Sequence, residues 1–452
     1  MYITLTRQIA RIESYRVALL VVLLLFTTSL GAFYSIYIGE DFRYPDERDY
    51  YKIARNVASS FSFSIDGEEP TAYRPPGYPL FLVPFIFLGA DVSGLRILNF
   101  VLVAVCMYLT YRILSEHASP LTGVIGVLGV VCYPVLFYTA GTLYPQILGA
   151  MLLLFIIQRL CKRKVLLRDF LVAGVAFGYL ILTIPFFLFM LLPITLWLYW
   201  IKVNGCTKKV AFMLAAACIP VLVWCVRNYT VFDSFVLVST NSGENLLLGN
   251  SENSAADSGT NVDIAHYWNE SDKMGLDEIG RDKYFQAKAI EWIWNHKTDA
   301  IELYCKKFFN HFSYSNDLWV GEEASPFKDK LMLLTYWPLL IVCIVRILMV
   351  GQFRLSAFEV LLVGLYIFSG LVYAVFFTRI RFRLPFDFLL ICLAAMFMRT
   401  LYAAWRCRSA VDARSLEVGS ASTSRRDEKS AGGYEAAVAC MHSERGVIGE
   451  RK

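Results

Sequence analysis

Apolar runs of about 15 to 22 residues recur from Val17 to Leu401 with short polar breaks between them. No other feature restricts the fold as tightly. The runs are continuous rather than alternating, so each reads as a helix, and at about 1.5 Å per residue each approaches the roughly 30 Å depth of a bilayer core. Within lipid a chain must satisfy its own backbone polar groups, which leaves helices or closed barrels. The sequence therefore predicts an all-α polytopic membrane protein.

Composition agrees and removes other classes. The chain is 57% apolar and 18% charged, against about 45–50% and about 25% in a soluble domain. At about 150 residues per domain the 452 residues would otherwise suggest three globular units. An aromatic share of 15% argues against a mainly disordered chain, and a net charge of +5 is too small to indicate nucleic acid. The eleven Cys are scattered without a CxxC pair, so neither a disulfide framework nor a zinc site is indicated.

Arg7, Arg11 and Arg16 precede the first apolar run, Val17 to about Ile38, which places the N-terminus in the cytoplasm by the positive-inside rule. The run is longer than the core of a signal peptide and Ser29-Leu30-Gly31-Ala32 is a poor cleavage site, so it reads as a retained span. Further spans are expected at 94–114, 121–138, 143–160, 169–184, 186–201, 210–226, 330–350, 357–377 and 384–402, ten in all. An even count returns the C-terminus to the cytoplasm. Lys162, Arg163, Lys164 and Arg168, then Lys202, Lys208 and Lys209, then Arg346 and Arg354, then Arg406, Arg408 and Arg414 all fall on the inner side of that scheme. Pro79 to Gly89 is apolar but too short to cross and is expected to lie in the outer interface. The pair at 169–201 hinges near Pro185, and a single long helix there would invert everything after it.

This topology divides the chain into a membrane-embedded body, 1–402, and a cytoplasmic, disordered tail, 403–452, rich in Ser, Ala, Gly and charge. Two substantial segments stand outside: 39–93, where chemistry is expected, and 227–329, a cap. Short rims near Tyr138 to Thr142 and Thr378 to Arg383 join them.

In the first outer segment Asp46 and Glu47 follow Pro45 and open a helical pattern whose apolar stripe is Tyr50, Ile53, Ala54, Val57 and Phe61. Asp46 stands where an N-cap belongs, so its plainer reading is a capping side chain. Farther on comes Tyr73-Arg74-Pro75-Pro76-Gly77-Tyr78-Pro79, in which two prolines stiffen the surroundings of Arg74. A guanidinium held at an interface suits phosphate, because its planar fork bonds two oxygens at once. An Arg that snorkels to anchor an interfacial helix is the plainer alternative.

The acidic pair opening an interfacial helix, the Tyr-Arg-Pro-Pro-Gly-Tyr-Pro run and the short apolar helix after it resemble the first outer loop of membrane glycosyltransferases with the GT-C fold. The group resembled is the bacterial relatives of the protein O-mannosyltransferases and the lipid A aminoarabinose transferase. Three later stretches extend the resemblance: Arg227-Asn228-Tyr229 through Ser239-Thr240-Asn241-Ser242-Gly243 to Gly249-Asn250, the amphipathic run after Arg281, and Arg381-Phe382-Arg383-Leu384-Pro385. Two features depart from the pattern. Tyr73 stands where the aminoarabinose transferases carry an acidic residue associated with a metal, and Thr183-Ile184-Pro185 lacks an Arg the family often has there.

The second outer segment reads as loop from Asn241 to Asn269. Two amphipathic stripes follow, Phe285, Ala289, Trp292 and Ile293, then Ile301, Tyr304, Cys305, Phe308 and Phe312, broken near His296 to Asp299. Trp292, Trp294 and Trp319 suit the headgroup level. His266, His296 and His311 lack ligand spacing and read as structural or surface residues.

The resemblance implies transfer of a sugar from a polyprenyl-phosphate donor to a hydroxyl acceptor, a glycan, lipid or protein, at the outer (periplasmic) face of the plasma membrane. It implies Asp46 as general base, with Glu47 orienting it, capping the helix or holding an ion. Arg74, Arg381 and Arg383 would hold the donor phosphate, and Tyr73, Tyr78, Arg227 and Asn228 are substrate-binding candidates. No cofactor is required by the reading, and a divalent cation is left open. One carboxylate suffices for a single inverting displacement, because a glycosyl phosphate already carries a good leaving group. The competing class is a transporter or lipid-linked sugar flippase, for which ten spans are equally natural; the scarcity of charge inside the spans favours chemistry at the rim.

Overall fold

A computed structural model describes residues 2–257, 262–315 and 326–421. The described residues form helices α1 (Tyr2–Ile38), α2 (Pro45–Ser60), α3 (Gly77–Phe87), α4 (Val92–His117), α5 (Pro120–Val131), α6 (Pro134–Ala140), α7 (Gln146–Leu160), α8 (Leu167–Thr183), α9 (Leu191–Trp200), α10 (Cys206–Phe232), α11 (Ser242–Gly249), α12 (Ala265–Lys273), α13 (Glu278–Asn295), α14 (Lys297–Asn310), α15 (Pro326–Leu348), α16 (Ala357–Tyr373) and α17 (Ile380–Ala421), with no strand among them. All ten stretches expected to span are helical. Five helices are by themselves long and apolar enough to cross a membrane, and a sixth span arises if α5 and α6, bent by 63°, are taken together. The remaining expected spans are shorter helices, so ten is not reached on length and composition.

Local chemistry sets the boundaries. Asp91 and Ser119 accept backbone N–H bonds from Gly94 and Thr122 at the starts of α4 and α5, and Ser356 and Glu359 form a capping box on α16. Pro185 ends α8 by holding Ile184 extended, and a short 3-10 segment, Pro185–Met190, leads into α9.

Helix α17 is the centre of the body, with 78% of its apolar window buried, whereas α1 and α15 bury only 17% of theirs and present apolar side chains outward. It packs against α5, α7, α15 and α16. Helix α8 packs along α10. Gly174 and Gly178 make this approach possible, because a Cβ on either would collide with the backbone carbonyl of Met213 or Ala217. Small residues four apart let two helix backbones meet where lipid supplies no hydrophobic drive.

Several expectations change. Phe61 does not continue the α2 stripe: it takes the left-handed conformation at φ +57° that ends the helix, and it is 93% exposed. The stretch 241–269 is not all loop, because α11 lies within it and α12 begins in it. Helix α11 is imposed by docking: Gly243 N–H donates to the Asp282 carboxylate at 2.6 Å, and Gly249 lies directly on the Phe376 carbonyl with no room for a Cβ. The last helix runs to Ala421, past the expected end of the ordered body at 402. The rest of the tail, and Trp319, lie outside the described residues.

Candidate active site

Helix α2 begins at Tyr44, which serves as N-cap without a side-chain bond. Asp46 is therefore in the first turn and is not the cap. Its carboxylate instead bridges two cations. Oδ1 accepts from Arg74 Nη2 at 2.7 Å, Oδ2 from Arg381 Nη1 at 3.0 Å, and the Tyr144 hydroxyl lies 3.4 Å from Oδ2. One helical turn on, Asp49 takes both Nε and Nη2 of Arg74, at 3.1 and 2.7 Å. Arg381 also donates to the Tyr144 hydroxyl at 2.7 Å. These side chains are partly open, with Asp46 at 23%, Arg74 at 14% and Arg381 at 30% exposure.

The motif around Arg74 holds it from both ends. Tyr73 donates its hydroxyl to Glu244 on α11 at 2.7 Å, and its ring lies 4.8 Å from the Arg74 guanidinium. Gly77 sits on the end of α8, where a Cβ would strike Thr183, and its carbonyl accepts the Tyr179 hydroxyl at 2.7 Å. Tyr78 is buried and bonds Asn99 on α4. Glu278 at the start of α13 accepts from Thr71 Oγ1 at 2.6 Å and from Ala72 N–H at 2.9 Å, which ties α13 to the segment between α2 and α3.

Burial alone would raise the Asp46 pKa, but Arg381 and Arg74 outweigh it and hold the carboxyl below the usual carboxylate range. Glu47 and Glu244 go the other way. Burial dominates for both and raises them, against the Leu143 N–H and Arg96 for Glu47 and the Tyr73 hydroxyl for Glu244. Burial also pushes the Tyr50 hydroxyl up to about 12.

Not every candidate joins this group. Glu47, one residue from Asp46 and so rotated about 100° around the helix, is fully buried on a different face, where it accepts Leu143 N–H at 2.9 Å and lies 3.7 Å from Arg96. It holds α2 against the body. Arg383 is fully buried, pairs with Asp387 at 3.2 Å, donates to the carbonyls of His311 and Ser313, and lies 3.6 Å over the Tyr336 ring. Arg227 stacks on Trp224 at 4.9 Å and donates to the Thr71 and Phe63 carbonyls, while Asn228 bonds the Val236 carbonyl. These three connect elements, and none is brought to Asp46. His311 is buried against Ser369 and His266 lies beside Glu252.

Sequence reasoning missed Asp49, Tyr144, Glu244 and Arg43, and placed Arg379 on a rim without giving it a role. Asp49 carried a readable signal, since it stands one turn from Asp46; the others come to the site only through tertiary packing. Arg43, Arg379, Arg381 and Tyr144 border a cavity of about 520 Å³, and a second cavity of about 380 Å³ is bordered by Tyr50, Pro75, Pro145 and Phe382. Arg381 and Tyr144, which contact Asp46, line the first cavity, and Pro75, Pro145 and Phe382, the chain neighbours of Arg74, Tyr144 and Arg381, line the second.

Among the described residues no three His, Cys, Asp or Glu side chains converge, and Asp46 and Asp49 already face guanidinium charge, which opposes a divalent ion. This donor set does not fit a metal.

No family model matches the chain, and no curated protein does. Solved structures do. The archaeal oligosaccharyltransferase AglB from Archaeoglobus fulgidus, in complex with an inhibitory peptide and a dolichol-phosphate, aligns with a TM-score of 0.50 at 11% identity over 96% of this chain and 55% of that one. ArnT from Cupriavidus metallidurans aligns with a TM-score of 0.38 in both its undecaprenyl phosphate-bound and apo forms, at 11% and 14% identity, over 88% and 87% of this chain and 79% and 78% of that one. This chain spans about half the length of AglB. The likeness establishes a GT-C fold, and the chemistry has to come from the site.

Proposed function

We propose that the chain is an integral membrane glycosyltransferase that moves a sugar from a polyprenyl-phosphate donor to a hydroxyl acceptor on the outer face of the plasma membrane, with inversion at the sugar carbon. The observation that carries the reading is Asp46 held between Arg74 and Arg381, the latter on the lining of a cavity. AglB, of the same fold, is a structure with a dolichol-phosphate, a lipid of the same chemical class as the proposed donor.

A donor phosphate entering this site competes with Asp46 for the two guanidiniums. As their hydrogen bonds pass to the phosphate, Asp46 loses the influence that depresses its pKa while its burial remains, and its basicity rises. The base is strengthened when the donor is bound and stays weak otherwise. The acceptor oxygen then attacks the anomeric carbon and gives its proton to Asp46. The bond from that carbon to the phosphate oxygen breaks, and its electron pair leaves on polyprenyl phosphate, where Arg74 and Arg381 stabilise the developing charge. Asp49 and the Tyr73–Glu244 pair keep the Arg74 fork aimed.

The test is donor consumption by the protein in nanodiscs, with a panel of polyprenyl-phosphate hexoses and pentoses and an envelope extract as acceptor source. Consumption of one donor by wild type and not by Asp46→Asn supports transfer. A folded protein that moves these lipids across the bilayer without consuming any of them would be a flippase.

A further inference from the structure

Lys307 on α14 is fully buried, and among the described residues no carboxylate pairs with it. Burial pushes its pKa down, and a cation buried without a counter-charge is costly unless hydrogen bonds offset the loss of water. Lys307 makes all three that an ammonium offers. Its Nζ donates to the Gly249 carbonyl at 3.0 Å, to Asn250 Oδ1 at 3.1 Å and to the Phe376 carbonyl at 2.8 Å. A neutral amine has only two N–H donors, so the third acceptor favours the charged form that burial opposes.

The acceptors belong to two separate elements. Gly249 and Asn250 end α11, where a cation also suits the helix dipole, and Phe376 stands in the loop between α16 and α17. Three oxygens that converge on one point repel one another unless a cation stands between them. Neighbouring bonds close the same junction: Asn250 Nδ2 donates to the Val375 carbonyl at 2.9 Å, Thr378 Oγ1 to the Lys307 carbonyl at 3.0 Å, and Asn310 Nδ2 to Thr378 Oγ1 at 3.0 Å.

Both elements lead to the guanidiniums that hold Asp46. Glu244, on α11, accepts the Tyr73 hydroxyl, and the Tyr73 ring lies 4.8 Å from the Arg74 guanidinium. Arg381 follows Phe376 by five residues and reaches Asp46 at 3.0 Å. Lys307 itself lines neither cavity. Resting on the transfer reading above, we propose that Lys307 is a positioning residue for the donor phosphate: its ammonium ties the end of α11 to the loop before α17 and so fixes Arg74 and Arg381 relative to one another.

The test is hydrogen exchange and native mass spectrometry on the full chain in nanodiscs, with undecaprenyl phosphate as the probe. Met and Gln are equal in length and only Gln carries N–H donors, so Lys307→Met and Lys307→Gln separate the bonds from the packing. In Lys307→Met the amides of 72–78 and 376–383 should exchange faster, and undecaprenyl phosphate should bind roughly tenfold more weakly. Lys307→Gln should recover part of both. Lys306→Met, at an exposed neighbour paired with Glu302, should match wild type. The loss of affinity should be smaller in an Arg381→Gln background, where one of the two arms is already gone. Wild-type exchange at 72–78 and 376–383 in Lys307→Met overturns the proposal, as do faster exchange confined to 242–250 and 297–310, an undiminished affinity, or a Gln variant no better than Met. Where Lys307→Met does not yield monodisperse protein, Lys307→Gln decides, and wild-type exchange and affinity in that variant overturn the proposal. Faster exchange in both segments with weaker binding, in a protein whose wild type consumes no polyprenyl-phosphate sugar, would sustain the positioning role and overturn transfer; consumption by wild type with exchange and binding unchanged in Lys307→Met would do the reverse.

Discussion

Asp46 and Arg381 stand 335 residues apart in the chain and 3.0 Å apart in the fold. The contact joins the start of α2 to the start of α17, so the site closes only when these two distant parts of the helical body meet. Arg74 completes the arrangement from the loop between them.

Asp46→Asn keeps the shape of the side chain and removes the base. Turnover should fall by roughly 10²–10⁴-fold, the usual worth of a positioned base, while thermal unfolding of the detergent-solubilised protein moves little because Arg74 retains Asp49.

Arg74 couples to pH. A carboxylate with a depressed pKa stays ionised to lower pH, and its ion pair contributes stability that is present above the unfolded value and lost as pH falls through the folded one. The acidic limb of kcat/KM in wild type should therefore lie below the usual carboxylate range. Arg74→Gln should move that limb upward as well as lower the rate. Arg74→Lys should restore the limb in part and the rate poorly, since an ammonium cannot bond two oxygens as a fork.

Glu47→Gln separates support from chemistry. The amide oxygen can still accept from Leu143 N–H, but Arg96 loses its buried counter-charge, and breaking a buried pair costs about 3–5 kcal/mol. The variant should lose more thermal stability than Asp46→Asn and retain more activity per folded molecule, measured by unfolding and by turnover normalised to monodisperse protein.

Gly249→Ala tests how the cap is seated. A methyl there meets the Phe376 carbonyl, so α11 must lift, and limited proteolysis should cut between 241 and 273 sooner than in wild type. Gly351→Ala, where a Cβ meets nothing within 4 Å, should leave the digestion pattern unchanged.

Much of this arrangement was legible in the sequence because lipid demands continuous apolar runs, and those runs became helices, although α1 and α17 extend well past the expected bounds and the run at 121–138 is broken into α5 and α6. Asp46 and Arg74 were legible because each lies in a motif with local logic, a helix start and a proline-stiffened turn. What stayed hidden depends on tertiary contact. Nothing near Glu244 announces that its helix docks on Asp282 and reaches Tyr73, and nothing in Arg381-Phe382-Arg383 says which arginine faces the site. Two residues apart on a helix, their side chains point about 200° apart around the axis: Arg381 reaches Asp46 while Arg383 turns into the body toward Asp387 and Tyr336. Glu47 turns into the body for the same geometric reason, and Gly174 and Gly178 carried a helix-packing signal that hydrophobic periodicity alone does not register.

The most direct measurement is a single-turnover reaction in nanodiscs, following release of polyprenyl phosphate from a donor labelled in the lipid, with wild type, Asp46→Asn and Arg381→Gln compared at saturating acceptor extract. Wild type should release the lipid phosphate, Asp46→Asn should bind the donor and hold it unreacted, and Arg381→Gln should bind it more weakly and release it more slowly. Release by Asp46→Asn at the wild-type rate would contradict the assignment of Asp46 as the base and, with it, the proposed mechanism.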